Sequence, residues 1–299
     1  MALTGAECRV AGIDCNEMWG DSMGHALKYD GSHPLRLAAL ETRGDKALEK
    51  NAGEEQLHAL VKELGDLQEL LFAAGTDALL IVLQGMDTSG KDGTIRSVMK
   101  DMSPSGVHVW SFGVPTEDER AHDFLWRHHL HTPPLSMIAV FNRSYYEVVL
   151  VELVKGFASP DVVRSRYPHI NDFELLLSQS RTLVAKFFLH ISKETQEERL
   201  LARQESVEKW WKLSLGDWQD RQRWDEYMAA YEAALNATAT MSAPWYIVPS
   251  DRKWYRNLAV SQALVEMLRP YRDDWLAALR ERGEQELAVL RDAGFAAPS

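Results

Sequence analysis

The 299-residue chain has only two cysteines, Cys8 and Cys15, and neither has a Cys or His partner at zinc-ligand spacing. A disulfide framework and a structural zinc site are therefore excluded as organising devices. Apolar runs are short as well: none approaches the roughly 20 residues of a membrane-spanning helix, and the longest clean one, Ala78 to Leu83, suits a buried strand. Glu7, Arg9, Asp14 and Glu17 interrupt the first residues, so no secretory signal is read there and a cytoplasmic location is expected. Positive charge is scarce, with 33 Lys and Arg against 44 Asp and Glu giving a net charge of −11. A surface of that sign repels polyanions. Neither nucleic acid nor a membrane is an expected partner, and any phosphate ligand must be held by a local cluster of cations. What is present, 45% hydrophobic and 26% charged residues without repeats or low-complexity tracts, is the composition of a soluble globular protein of one large or two ordinary domains.

Residues 1 to about 53 lack sustained periodicity and read as an extended arm. From Glu54, the spacing of Leu57, Leu60, Val61, Leu64, Leu67 and Leu71 predicts one face of a helix that ends at Gly75. Ala78 to Gln84 then reads as a strand buried on both faces, followed by a glycine-containing turn over 85–93 and a helix over 94–101. The alternation continues with strands near 107–112, 137–141, 183–191 and 245–248. Between them lie a helix capped by Thr116 and Glu119, helical patterns over 145–154, 173–179 and 194–203, one long helix over 217–238, and another over 254–268. This order predicts an α/β fold, a parallel sheet with helices on both faces, over residues 54–269. Residues 270–299 form a further amphipathic helix with Trp275, Leu276, Leu279, Leu287 and Leu290 on its apolar stripe. That stripe must be covered, and assembly is the expected use of it.

Chemistry enters at Gly85-Met86-Asp87-Thr88-Ser89-Gly90-Lys91, which has the spacing G-x-x-x-x-G-K between a predicted strand and a predicted helix. Glycines let backbone N–H groups approach phosphate oxygens, the helix start adds positive potential, and Lys91 supplies a point charge. Gly85, Thr88, Ser89, Gly90, Asp92, Gly93 and Thr94 are the expected phosphate or nucleotide contacts around it. Two features depart from the usual triphosphatase loop: Asp92 follows the lysine where a Ser or Thr is common, and Asp87 places a carboxylate inside the loop. A carboxylate about 4 Å from a phosphate charge costs roughly 4 kcal/mol at an effective dielectric of 20. Asp87 is thus expected to bind magnesium or to orient the nucleophile, with helix capping as the alternative.

Asn142 and Arg143 follow a predicted strand, where a second metal-coordinating group and a phosphate clamp are expected; alone, such a pair reads as a turn. Arg199 and Arg203 share a helix face at i, i+4. The segment after them, about 204–216 and including Lys212, can fold over the site as a lid that delivers cations in cis, with Ser214 and Asp217 capping the next helix. Trp210 and Trp211 taken singly read as core residues. Asp123 and Arg127 read as a helix ion pair.

The segments LQGMDTSGKDGTIRSVM, HDFLWR, FNRSYYE, KFFLHISKETQEERLLAR, KWWKLS, WDEYMAAYEAAL and APWYIVPSDRKWYRNLAV, in this order over roughly Leu57 to Leu268, resemble the polyphosphate kinase 2 family. The resemblance is greatest to its branch with a single P-loop domain. It implies a P-loop kinase-like three-layer α/β/α core with a helical lid, Mg²⁺ as cofactor, inorganic polyphosphate as donor, AMP or ADP as acceptor, and a homo-oligomer, dimer or tetramer. Asp87, Lys91, Asn142, Arg143 and Arg203 match the family's catalytic and phosphate-binding positions, Asp87 and Asn142 being the implied metal ligands. Gly113, Val148 and Leu153 stand where related sequences carry charges. An ATP-dependent small-molecule kinase and a non-catalytic polyphosphate or nucleotide sensor are the other functions these residues allow.

Overall fold

The structure is a computed structural model, which describes residues 9–10, 13–14 and 24–295; Cys8 and Cys15 lie outside the described residues. Its sheet is built from β1 (Leu27–Tyr29), β2 (Ala78–Gln84), β3 (Val107–Ser111), β4 (Ile138–Asn142), β5 (Thr182–His190) and β6 (Trp245–Pro249). Across the sheet the order is β1-β6-β5-β2-β4-β3, and every pairing is parallel except β1 with β6. The run Ala78 to Gln84 is continuous because the central strand is buried on both sides. Leu79, Ile81 and Leu83 enter the core on one face, and Leu80 and Val82 the core on the other. Helices α1 (Lys50–Ala74), α2 (Lys91–Val98) and α10 (Lys253–Leu268) cover the first face; α5 (Glu147–Val154), α6 (Pro160–Gln179) and α9 (Trp224–Thr238) cover the second. The expected α/β class holds. Because the strands are parallel, β2, β4, β5 and β6 all end at one edge, and the loops beyond that edge are where such sheets bind ligands.

Several boundaries differ from the sequence expectation. The arm is docked from residue 24 onward: β1 pairs with β6, Leu35 and Leu37 are buried, and Asn236 bonds both the N–H and the carbonyl of Leu35 at 2.8 and 3.0 Å. Helix α2 starts at Lys91 rather than 94, and α6 starts at Pro160, capped by Ser159, rather than 173. Pro168 sits inside α6. Proline deprives the helix of one hydrogen bond but does not end it here, where buried Val163, Ile170 and Phe173 hold both flanks. The long helix over 217–238 is two, α8 (Leu215–Gln222) and α9, broken at Arg223. The capping box of Thr116 and Glu119 forms as expected at the start of α3 (Glu117–Ala121). Asp123 does not pair with Arg127; it accepts from the N–H groups of Leu125 and Trp126, whereas Arg127 pairs with Glu119 at 3.2 Å. In α11 (Arg272–Asp292) the first turns belong to the domain: Trp275 is fully buried with Nε1 donating to Asp77 at 2.8 Å, and Arg282 donates to the carbonyls of Ala73 and Ala74.

A buried ionic network crosses the second core. Lys186 of β5 lies 2.6 Å from Glu174 of α6, whose other oxygen accepts from Tyr145 and Tyr146 at 2.9 and 2.8 Å. Burial pushes the Lys186 ammonium below its ordinary value, and Glu174 opposes that shift. Removing one partner of such a pair strands the other. Lys186→Met is expected to lose about 3 kcal/mol of stability, and Lys186→Met with Glu174→Gln to recover most of it, by reversible thermal unfolding. Equal loss in the single and double variants would show that the charges are uncoupled.

Candidate active site

The turn after β2 wraps around its own lysine. Gly85 (φ 149°) and Gly90 (φ 106°) take backbone angles that side chains disfavour, and a Cβ at Gly85 would stand 2.8 Å from the Leu189 carbonyl. Lys91 opens α2 and folds back, its Nζ 2.7 Å from the Gly85 carbonyl and 3.4 Å from that of Met86. The N–H groups of the first helical turn have no carbonyl within the helix to bond. Thr88, Gly90, Lys91, Asp92 and Gly93 border a cleft of about 770 Å³ there. Gly85, Ser89 and Thr94 stand behind the cradle instead. Thr94 is buried with its hydroxyl on the Gly90 carbonyl at 3.1 Å, and Ser89 is fully buried. Arg199 borders the cleft as well, and its guanidinium donates to four backbone carbonyls, those of Thr88, Ser89, Ser250 and Asp251.

Asn142 ends β4 and Arg143 follows it in the left-handed region, at φ 63°. Arg143 donates to Asp87 at 2.9 Å and approaches Glu147 at 3.9 Å. Burial works against its charge, but Glu147 and Asp87 outweigh burial and leave it above its ordinary value. On the other wall Arg203 donates to Asp217 at 2.7 Å and to the Lys212 carbonyl at 3.1 Å. Burial first, then the charge of Asp87, push the Asp217 carboxyl up. Glu147 is likewise raised by burial, against Arg143 and Lys91, and burial lowers Lys91 against Asp87. Two carboxylates, Asp87 and Asp217, thus repel one another across a cleft that Lys91, Arg143, Arg203, Lys209 and Lys253 also border.

Asp92 joins the loop to the segment that carries Lys212. Its oxygens accept from Lys212 at 2.9 Å and from Asn142 at 2.9 Å, and Lys212 foremost holds its carboxyl below the ordinary value. Lys212 ends the 3₁₀ segment Val207–Lys212, which together with the start of α8 makes up the stretch expected from the sequence to act as a lid. Trp210 and Trp211 are exposed on it, not in the core, at 53% and 77%, and the Lys212 ammonium sits 4.7 Å from the Trp211 ring. A depressed carboxyl stabilises the latched lid above its ordinary titration range and loses that contribution as pH falls through its own, lower value. Asp92→Asn should therefore free the lid at neutral pH by about 0.5–1 kcal/mol, the worth of a half-exposed pair. Tryptic cleavage after Lys209 and Lys212 should become a few-fold faster; an unchanged rate would show that Asp92 does not hold the lid.

A second cavity, of about 650 Å³, adjoins the first at Phe112, Gly113 and Arg143. Its walls are largely apolar, from Phe124, Val148, Val151 and Phe157, with Arg127 and Arg166 set over the Phe112 and Phe124 rings at 5.1 and 5.5 Å. His128 lies against Phe112, held neutral by burial with its pKa pushed down to about 3. Sequence spacing offered no signal for this pocket, since its residues are scattered between Phe112 and Arg166. It also missed Glu147, Lys209, Lys253 and Arg256 in or beside the cleft. Of the three charge-lacking positions, Gly113 and Val148 border the pocket, whereas Leu153 packs on the core.

A protein-family model described as Polyphosphate kinase 2 (PPK2) matches residues 47–274. The chain is 51% identical over 219 residues to the AMP/ADP-polyphosphate phosphotransferase of Meiothermus ruber, covering 73% of this chain and 82% of that protein. It is 43% identical over 230 residues to the ADP-polyphosphate phosphotransferase of Rhodopseudomonas palustris, covering 72% and 78%. Its fold is similar to the crystal structure of polyphosphate kinase 2 from Arthrobacter aurescens TC1, with a TM-score of 0.76 and 42% identity over 79% of this chain and 86% of that one.

Proposed function

The chain belongs to the polyphosphate kinase 2 family, and we propose on that footing that it transfers a terminal phosphoryl group of inorganic polyphosphate to AMP or ADP. The observation that carries this reading is the junction of two unlike cavities at Arg143: a cationic cleft for a polyanion and an apolar, aromatic pocket for a nucleoside. Lys209, Lys253 and Arg203 extend the positive wall beyond Lys91, which fits a donor longer than a triphosphate. A phosphate oxygen of the acceptor, brought in from the pocket, attacks the terminal phosphorus; a new P–O bond forms as the bond to the shortened polyphosphate breaks. Lys91 and the loop N–H groups neutralise charge on the transferred group, Arg143 bridges donor and acceptor, and Arg203 closes from the lid. The chain supplies position and charge, with no covalent intermediate.

The residues fit a magnesium ion. Asp87 and Asp217 each pair with one guanidinium, of Arg143 and Arg203, yet still repel one another, and Asn142 spends its amide N–H on Asp92, which leaves its oxygen free. Magnesium takes one or two carboxylates and completes its shell with substrate phosphates and water. When bound it would add charge neutralisation at the phosphates; the positioning by Lys91, Arg143 and Arg203 described above is the protein's own. The test is incubation with Mg²⁺, polyphosphate and AMP or ADP, beside arms with ATP and without donor. Phosphorylated nucleotide only with polyphosphate is expected. Binding without turnover, or turnover with ATP and another acceptor alone, would overturn the reading.

No helix among the described residues is long and apolar enough to cross a membrane. The distal part of α11 leaves Leu287, Val289 and Leu290 exposed, and this stripe supports homo-oligomer assembly as a dimer or tetramer. Truncation after Arg282, which spares Trp275, should lower the mass seen by light scattering without loss of turnover. An unchanged mass would refute the interface.

A further inference from the structure

The loop's glycines are usually explained by the phosphate in front of them, but here Gly90 and Gly93 also meet something behind. A Cβ at Gly90 would collide with Nη1 of Arg256, and one at Gly93 would stand 3.2 Å from its Nη2. Arg256, on α10, is almost fully buried, and its Nη1 donates to the Ser89 carbonyl at 3.2 Å while Nε and Nη2 bond Asn257 at 3.1 and 2.8 Å. Arg199, on α7 (Lys193–Gln204), reaches the same Ser89 carbonyl as Arg256. It donates to the carbonyls of Thr88 and Ser89 at 2.8 and 3.1 Å, and to those of Ser250 and Asp251, beyond β6, at 2.6 and 2.8 Å. Among the described residues neither guanidinium forms a salt bridge. Burial and the neighbouring Arg199 lower Arg256 to about 9, so it carries charge at neutral pH.

We infer that Arg199 and Arg256 are positioning residues that fasten the P-loop by its carbonyls, turning the N–H of Gly90 toward the donor phosphate. Each peptide unit has its carbonyl and N–H on opposite sides, so holding the Ser89 carbonyl directs the N–H of Gly90 away from the arginines, while the Ser89 N–H closes the turn on the Met86 carbonyl at 3.0 Å. The two anchors differ in origin. Arg256 ties the loop to α10, and Arg199 ties it to α7, the helix that also carries Arg203, and to the end of β6. Donor cradle, lid base and sheet edge are therefore joined through one guanidinium. Arg199, partly compensated by Asp251 and Glu198, and Arg256 beside it also favour the arrival of a polyanion, so their burial is offset when donor binds. The planar fork is what makes both sets of bonds simultaneously, and a lysine of the same charge cannot.

This inference rests on the proposed reaction, and the experiment separates the two. Wild type, R256K, R256M and R199K are assayed for kcat and for KM toward polyphosphate and AMP. Folded fraction is followed by near-ultraviolet circular dichroism and loop opening by hydrogen exchange of peptides covering 85–91. Both lysine variants are expected to keep the KM for AMP within about twofold and to lose kcat about tenfold or more, as a small misplacement of a binding group does. Their exchange should rise in the loop and not elsewhere. Loop exchange unchanged in both lysine variants overturns the clamp, as does a loss of kcat that merely follows the unfolded fraction. If R256K and R256M do not fold, the half-buried R199K decides by the same criteria. A wild type without turnover overturns the proposed reaction instead, and exchange alone then judges the clamp.

Discussion

Lys91→Met is expected to lose at least about 10²–10³-fold in kcat while the protein stays folded, the range for removing one charge stabiliser from a transition state. The side chain makes two contacts in the absence of donor, both to carbonyls of its own loop, Gly85 and Met86. Methionine fills nearly the same volume with no charge. Burial already lowers the Lys91 ammonium, so folding gains little from it, and Asp87 is the principal group that favours its charged form. Loss of the lysine therefore removes little from stability, and the thermal midpoint should stay within about 2–4 °C of wild type, the equivalent of about 1 kcal/mol. Donor phosphates, by contrast, lose the one ammonium group at the centre of the loop. Turnover within tenfold of wild type would remove Lys91 from the site, whatever the midpoint does.

Legibility in the sequence followed the range of the physics involved. Ala78 to Gln84 was readable because burial on both faces forces every position to be apolar, and the glycine spacing of 85–91 because its backbone angles exclude side chains. Asn142 and Arg143 could be placed by topology, since parallel strands must all end at one edge, and Arg203 by its helix face before a segment read as a lid. Pairings across the fold could not. Asp123 and Arg127 are four apart on a helical pattern, yet a short α-helix beginning only at Trp126 (Trp126–His129) leaves Asp123 outside it as a cap. Arg199 and Arg203 share a face, but α7 twists one guanidinium under the loop and the other over the cleft. Trp210 and Trp211 looked like core because bulky aromatics usually are; the lid holds them out over solvent. Arg256 had no local signal at all, because its partners, the carbonyl of Ser89 and the missing side chains of Gly90 and Gly93, lie more than 160 residues away.

Arg203→Ala should cost about 10³-fold in kcat, the lower end for a guanidinium that acts on a transferring phosphoryl group. Its geometry distinguishes it from the other cations of the cleft. Asp217 fixes one nitrogen at 2.7 Å and the Lys212 carbonyl accepts from the same nitrogen at 3.1 Å, so the side chain is aimed by the lid even with nothing bound. The second terminal nitrogen makes no hydrogen bond to the described residues and is free for phosphate. Pre-aiming matters because a flexible arginine would have to be ordered in the transition state, at a cost in side-chain entropy that reduces its effect. Removing Arg203 also leaves Asp217, already raised by burial and by Asp87, without its nearest counter-charge, so the carboxyl should rise further and the cleft lose part of its affinity for cations. The expected pattern is therefore a fall in kcat with KM for AMP nearly unchanged, since the nucleoside pocket lies on the far side of Arg143. Arg203→Lys should recover only a fraction, because lysine keeps the charge but cannot hold Asp217 and phosphate together. Full activity in Arg203→Lys would reduce the residue to a point charge, and full activity in Arg203→Ala would take the lid out of the chemistry.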